Sequence, residues 1–250
     1  MEKELDGRTA IVTGASSGIG AATARSLAER GAPVVLAARR KSRIDTLADE
    51  IQRSGGRALA VATDVSVQGD VEELVRQTRH HFGPVRILVN NAGVMPLAPM
   101  EELRLDDWDR MVDVNLKGPL HTIGAVLEEM MEERNGHILT VSSLAGRRPL
   151  PGGTVYSATK FAVRALVGGM QLELSSKYGI RVTDIQPGVV DTELMDHIPS
   201  TTMRERLGDA WEGKRKLHPE DVARAVLFAV TAPDRVNVNE VLVRPTDQST

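Results

Sequence analysis

Two hydrophobic rhythms alternate along this chain. Short runs that are apolar at nearly every position, such as Thr9-Ala10-Ile11-Val12-Thr13 and Pro33-Val34-Val35-Leu36-Ala37-Ala38, are each followed by a longer stretch with an apolar stripe. The first rhythm is that of a strand buried on both faces, the second that of a helix packed on one side. The same reading predicts further strands at 58–62, 86–89, 137–143, 180–186 and 240–244. It predicts helices at 21–30, 44–53, 67–82, 101–111 (short), 114–134, 155–178 and 219–231. Loops of a few residues between alternating strands and helices imply parallel pairing with helices on both faces of the sheet. The expected fold is therefore α/β, a doubly wound seven-stranded parallel sheet. At 250 residues, with no repeat, low-complexity tract or linker, the expected organisation is one domain spanning 1–250.

The rhythm fails in one place. After Pro187-Gly188, residues 189–216 turn polar, with Pro199, the Ser200-Thr201-Thr202 cluster and a mixed-charge helical piece at 203–211. This insert follows a strand's carboxyl end, where open α/β sheets bind their ligands. We read 191–216 as a substrate lid; a surface excursion with no role is the alternative. Its cations (His197, Arg204, Arg206, Lys214, Arg215, Lys216) are offset by Glu193, Asp196, Glu205, Asp209 and Glu212, which favours a solvated helix over an anion receiver.

Composition narrows the functional classes. With 31 Lys+Arg against 34 Asp+Glu the net charge is −3, and no basic block suggests nucleic acid. There is no cysteine, which excludes disulfides and thiolate chemistry and argues against structural zinc. No metal site is expected. The start of the chain, Met1-Glu2-Lys3-Glu4-Leu5-Asp6-Gly7-Arg8, has no apolar stretch of signal-peptide length, and no run of about 18 apolar residues occurs. A cytoplasmic protein without a membrane partner is expected.

Candidate chemistry sits where strands end. Gly14-Ala15-Ser16-Ser17-Gly18-Ile19-Gly20 joins the first strand to the first helix. Glycines there let backbone N–H groups approach a pyrophosphate at a helix N-terminus; a tight turn that binds nothing is the plainer alternative. The second strand ends in Ala38-Arg39-Arg40-Lys41, with no acidic residue to meet a ribose 2′-hydroxyl. Room and positive charge there suit a 2′-phosphate, hence NADP, unless the segment is only a solvated basic loop. Tyr156 and Lys160, if helical, stand one turn apart with about 5–6 Å between their Cβ atoms. An ammonium there would favour the phenolate and let the phenol exchange a proton near neutral pH. Such pairs also arise on ordinary helix surfaces. Asn115 inside a helix and Ser142-Ser143 after a strand read by themselves as a mild defect and as turn chemistry.

Together these segments change weight. Thr13 to Gly20, Asn90-Asn91-Ala92-Gly93, Asn115, Ser143, Tyr156-x-x-x-Lys160 and Pro187-Gly188 resemble, in order and spacing, the classical short-chain dehydrogenase/reductases over essentially the whole chain. The resemblance implies a single Rossmann-type domain. It makes Tyr156 the proton donor to a substrate carbonyl and Lys160 the residue that lowers its pKa and holds the nicotinamide ribose. Ser143, thirteen residues before Tyr156, would bind the carbonyl oxygen, and Asn115 would hold a helix distortion and a water linking Lys160 to solvent. It assigns Gly14, Ser16, Ser17, Gly18, Ile19 and Gly20 to the cofactor phosphates and ribose, with Arg39 and Arg40 at the adenosine phosphate. Asp64 and Val65 would bracket the adenine, Asn91, Ala92 and Gly93 would line the cofactor, and Pro187, Gly188, Val190 and Thr192 would seat the nicotinamide amide.

The implied activity is reduction of an aldehyde or ketone with NADP(H) preferred and NAD(H) possible, the substrate being a small molecule. The Arg244-Pro245-Thr246-Asp247-Gln248 ending further resembles actinobacterial reductases of the clavulanate-dehydrogenase type, which act in secondary metabolism. It replaces the Gly-Gly that many relatives carry after the last strand, which puts their C-terminal subunit contacts in doubt here. A ketoreductase of acyl or polyketide substrates has a similar signature. The alternative of another class is a catalytically silent NADP(H)-binding regulator. The resemblance also implies a homo-oligomer, tetramer or dimer, built on the 114–134 and 155–178 helices.

Overall fold

A computed structural model describes residues 3–248; Met1, Glu2, Ser249 and Thr250, the ends of the expected domain, lie outside the described residues. In chain order the elements are β1 (Ala10–Thr13), α1 (Gly18–Glu29), β2 (Pro33–Ala38), α2 (Lys41–Arg53), β3 (Arg57–Ala62), α3 (Gln68–Phe82), β4 (Ile87–Asn90) and α4 (Leu105–Val112). They continue with α5 (Gly118–Glu132), β5 (Gly136–Val141), α6 (Thr154–Met170), α7 (Ser176–Tyr178), β6 (Ile180–Pro187), α8 (Thr201–Trp211), α9 (Pro219–Val230) and β7 (Glu240–Val243). The seven strands form one sheet in the order β3-β2-β1-β4-β5-β6-β7, every pair parallel. The expected Rossmann-type architecture is present.

Burial follows the two rhythms. Every residue of β1, β2, β4, β5 and β6 is buried, whereas β7, at the sheet's edge, is half-exposed. One face of the sheet packs on α1, α2 and α9 through residues such as Leu27, Leu47 and Val226. The other packs on α3, α5 and α6 through Leu74, Val126 and Val167. A third cluster (Leu97, Met111, Ala145, Tyr156, Ile198, Met203) lies above the strands' carboxyl ends and seats the insert. Strand order reverses between β1 and β4, which opens the crevice where this fold holds ligands.

Two helices depart from their expected course. The stretch expected to be helical from 114 begins as a π-turn, Asp113–Lys117, inserted between α4 and α5. Pro119 offers no N–H to the carbonyl four residues back, that of Asn115, and Gly118 before it is a weak helix former; a widened turn follows. Gly118 is also required small, since a Cβ there would lie 2.8 Å from Val65 Cγ2. The 155–178 helix is likewise cut after Gly168-Gly169 by a π-turn at Gln171–Ser175, where the Gln171 amide donates to Val182 O (3.1 Å) and Asn239 O (2.9 Å).

Candidate active site

The glycine loop leaves β1 with positive φ at Gly14 (66°) and Gly18 (53°), which favours glycine at both. A Cβ on Gly14 would lie 2.8 Å from Ala92 Cα, and one on Gly20 only 2.4 Å from Gly14 O and 2.5 Å from Asn91 Nδ2. The loop is thus pressed against the end of β4. Thr13 Oγ1 fastens the two by accepting from the amides of Asn91 and Ala92, both at 3.0 Å, while Asn91 Nδ2 donates to Thr13 O at 2.9 Å. Ser17, the N-cap of α1, makes no side-chain capping bond, and the first turn carries no acid. The leading amides and the dipole of α1 are therefore left for an anion.

At the loop's outer edge Arg40 forms a bridge. Its Nε and Nη2 donate to Ser16 Oγ (3.0 and 2.8 Å), Nη2 to Ser17 Oγ (2.7 Å), and Nη1 to Glu193 Oε2 (2.7 Å). Arg43 donates to the other oxygen, Glu193 Oε1, at 2.5 Å. The bonds from Arg40 and Arg43 hold the Glu193 carboxyl at about 2. Arg39 lies 3.8 Å from Asp64, whose Oδ1 accepts from the Ser66 amide and hydroxyl.

Tyr156 and Lys160 do stand one turn apart on α6, both buried, with Lys160 Nζ 5.8 Å from the phenol ring centre. Lys160 Nζ donates to Val141 O at 2.9 Å. The expected downward shift of the phenol is corrected here. Burial pushes Tyr156 above its ordinary value, with a Ser143 hydrogen bond opposing, and burial drops Lys160 to about 8 against the pull of Asp184. In a dry site both charged forms are disfavoured, and burial is the larger cause for each group. Ser143 Oγ accepts from Ala145 N (3.0 Å) and reaches Tyr156. Ser142 is tied to the next strand, its amide and hydroxyl donating to Ile185 O at 2.8 and 3.4 Å.

Asn115, buried in the π-turn, accepts from Val94 N (2.8 Å) and donates to Val94 O (3.0 Å) and Thr159 Oγ1 (3.2 Å). It tethers the segment after β4 to α6. A Cβ on Gly93 would lie 3.4 Å from Asn115 Oδ1 and 3.9 Å from Lys160 Nζ, so both polar ends border the same small space.

The insert has a paired neck: Val190 bridges Leu217, Asp191 N donates to Leu217 O (2.8 Å) and Leu217 N to Val189 O (3.0 Å). Several of its cations have partners within the chain: Arg204 on Ile198 O, Lys214 on Ala210 O and Arg215 on Asp247, while His197 and Lys214 also line the cleft. The C-terminal segment folds back on the neck, and Gln248 Oε1 accepts from Val189 N at 3.2 Å.

All of this encloses one cleft of about 840 Å³. Of the sequence candidates, Gly14, Ser16, Ser17, Gly18, Ile19, Arg39, Arg40, Asp64, Val65, Asn91, Ala92, Gly93, Ser143, Tyr156, Lys160, Pro187, Gly188, Val190 and Thr192 line it. Gly20 and Asn115 do not. Gly20 sits behind the loop, where the lack of a Cβ permits close packing, and Asn115 acts through Val94. Sequence reasoning placed Glu193, Met195 and Leu207 in the 191–216 insert without singling them out as cleft residues, and it missed Asp247, Gln248 and the apolar Met95, Leu97 and Leu150. Their only signal was position after a strand's carboxyl end. Among the described residues no cluster of three metal-ligating side chains occurs, and no helix is long and apolar enough to cross a membrane.

Residues 8–202 match the family model described as short chain dehydrogenase. The chain is 43% identical over 244 residues to an uncharacterized oxidoreductase of Staphylococcus saprophyticus, covering 97% of this chain and 99% of that protein. Its fold superposes on a closed form of serine dehydrogenase complexed with NADP+ with a TM-score of 0.89, at 33% identity, covering 97% of this chain and 96% of the other. A short-chain dehydrogenase/reductase from Burkholderia phymatum in complex with NAD gives a TM-score of 0.88 at 27% identity, covering 96% and 89%.

Proposed function

The chain belongs to the short-chain dehydrogenase/reductase family of oxidoreductases, and from that premise we propose that it reduces a neutral aldehyde or ketone with an apolar body, using NADP(H) in preference to NAD(H). The observation that carries the reading is the meeting, in one cleft, of an uncapped α1 N-terminus with Ser143, Tyr156 and Lys160. The residues fit a dinucleotide. Gly14 and Gly18 line the cleft at positive φ and let the loop pack closely on Ala92 and Thr192, the leading amides of α1 suit a pyrophosphate, and Arg39 and Arg40 suit a 2′-phosphate.

When bound, the nicotinamide supplies the hydride that goes to the carbonyl carbon. This chain's residues handle the oxygen. Ser143 Oγ and Tyr156 Oη donate to it as negative charge develops, and Tyr156 transfers its proton to complete the alcohol. The raised phenol keeps that proton on Tyr156 at neutral pH in the reductive direction. Lys160 seats the ribose and supports proton return to Tyr156, with Asn115 holding the Gly93–Val94 wall beside it.

Substrate chemistry follows the walls. Met95, Leu97, Leu150, Met195 and Leu207 favour an apolar body, and two of the insert's arginines, Arg204 and Arg215, are taken by internal partners, which supports a substrate without an anionic tail. Exposed Leu120 on α5 and Phe161 on α6 support pairing of these helices across a two-fold in a dimer or tetramer. A fluorescence titration with NADPH and NADH, followed by a carbonyl panel that includes one aldehyde with and without a carboxylate, tests the reading. We expect tighter NADPH binding and faster turnover of the uncharged aldehyde. NADPH binding without oxidation on any carbonyl would replace it with a silent regulator.

A further inference from the structure

The insert holds one acid against the cleft's basic edge. Glu193 stands 153 residues from Arg40 in sequence, yet its two oxygens take Arg40 Nη1 (2.7 Å) and Arg43 Nη1 (2.5 Å). The next residue back, Thr192, lies over the glycine loop, its Cγ2 3.0 Å from where a Cβ on Gly18 would be. The first turn of the insert is thus pinned across the mouth of the phosphate cradle, and Arg40 joins it to Ser16 and Ser17.

Charge explains what this arrangement does. Arg39, Arg40 and Arg43 bring three positive charges to the edge, and Asp64 and Glu193 return two negative ones. A ribose 2′-phosphate, carrying close to two negative charges near neutral pH, seeks the same guanidinium groups in the same bidentate manner as a carboxylate. The two anions cannot share Arg40 without repulsion. The Glu193 pairs are open to water, with Arg40, Arg43 and Glu193 side chains 41, 48 and 39% exposed, so they are weak enough for a phosphate to displace.

We propose that Glu193 is an internal competitor for the cofactor's 2′-phosphate: NADP(H) exchanges phosphate for carboxylate on Arg40 and Arg43 and so unpins the first turn of the insert, whereas NAD(H), lacking that phosphate, leaves it pinned. This rests on the cofactor reading above and adds to it a residue that sets the NADP(H)-to-NAD(H) ratio and couples cofactor identity to the insert. Glu193 lowers NADPH affinity and leaves NADH affinity alone.

The test is Glu193→Gln, which keeps the shape and removes the charge. At low ionic strength the NADPH Kd should fall about threefold to tenfold, with the NADH Kd within about twofold of wild type. The gain should shrink in about 0.5 M salt. Hydrogen exchange supplies a readout without nicotinamide: 2′-AMP should speed exchange of the wild-type amides at 193–198, 5′-AMP should not, and Glu193→Gln should exchange fast with neither ligand. Weaker binding of both dinucleotides would make Glu193 a clamp and overturn the proposal, and so would equal changes for both or none for either. A wild-type chain that binds NADH more tightly would overturn the cofactor reading, while the shift in ratio on substitution still decides this one.

Discussion

Replacing Tyr156 by Phe removes one oxygen and little else. The ring is buried, and its hydroxyl's protein partner, Ser143, keeps the Ala145 amide at 3.0 Å when the phenol is lost. The fold should therefore change by no more than about 1 kcal/mol, the net worth of one hydrogen bond. Chemistry should change far more. Losing an oxyanion donor costs on the order of 10²–10³ in rate, and losing the general acid as well carries the total to about 10³ or beyond, roughly 4 kcal/mol of barrier. Ser143→Ala should lose about 10²–10³ alone. If the two donors face one oxygen, as proposed, the double variant should lose much less than the product of the single losses. Decay of reduced-nicotinamide absorbance in single turnover, with cofactor affinity measured on the same preparations, gives all four corners of the cycle. A Tyr156→Phe enzyme within tenfold of wild type would sink the assignment. Fully multiplicative losses would show that Ser143 and Tyr156 do not act on one atom.

Further outcomes follow from four other residues. Gly20→Ala should destabilise by about 1–3 kcal/mol in urea unfolding and abolish dinucleotide binding, because its Cβ would lie 2.4 Å from Gly14 O. Gly168→Ala, also helical but with nothing within 4 Å, should instead gain up to about 1 kcal/mol. Lys160 is depressed from 10.5 to about 8, so kcat/KM for reduction should fall as pH rises through about 8 while the amine loses its charge. The same shift makes this group stabilise the fold increasingly from pH 8 to 10.5, since the unfolded chain holds the proton longer. Buried His137 is held well below its ordinary 6.5, chiefly by burial and then by Arg181 and Arg8. Its stabilisation is therefore present above pH 6.5 and lost below, by about 1.4 kcal/mol per pH unit; chemical unfolding of wild type and His137→Asn between pH 7.5 and 5.5 should differ by that slope.

The strands and helices were legible because each is decided locally. Val34-Val35-Leu36 has no reading other than a buried strand, and Pro219 with Asp221 marks the start of α9, where the His218 amide donates to Asp221 at 2.7 Å. The motif residues were legible for the same reason: glycine spacing and a one-turn Tyr–Lys offset are short-range facts. What escaped depends on contacts far along the chain. Glu193 reads in sequence as one more charge on a mixed-charge insert, and only folding brings it to Arg40. The sign of the Tyr156 shift was misjudged because spacing specifies a neighbour but says nothing of dryness. The π-turn at Gln171–Ser175 has no proline to announce it and turns on a side chain reaching β6.

The fastening at Thr13 bears on how fast ligands come and go. One hydroxyl accepts two amides of the β4 end, and Asn91 returns a bond to the β1 end, so the cleft's floor is stitched across the reversal of strand order. A cleft between two domains exchanges its contents by hinging; a floor sewn in this way cannot hinge. If residues 191–216 act as the lid the sequence suggests, traffic passes through the roof, and residence times follow how readily the insert swings on the neck formed by Val190 and Leu217. Such a swing moves a sizeable piece of chain through solvent, so if release limits turnover, kcat should decline as glycerol or sucrose thickens the medium, in proportion to viscosity.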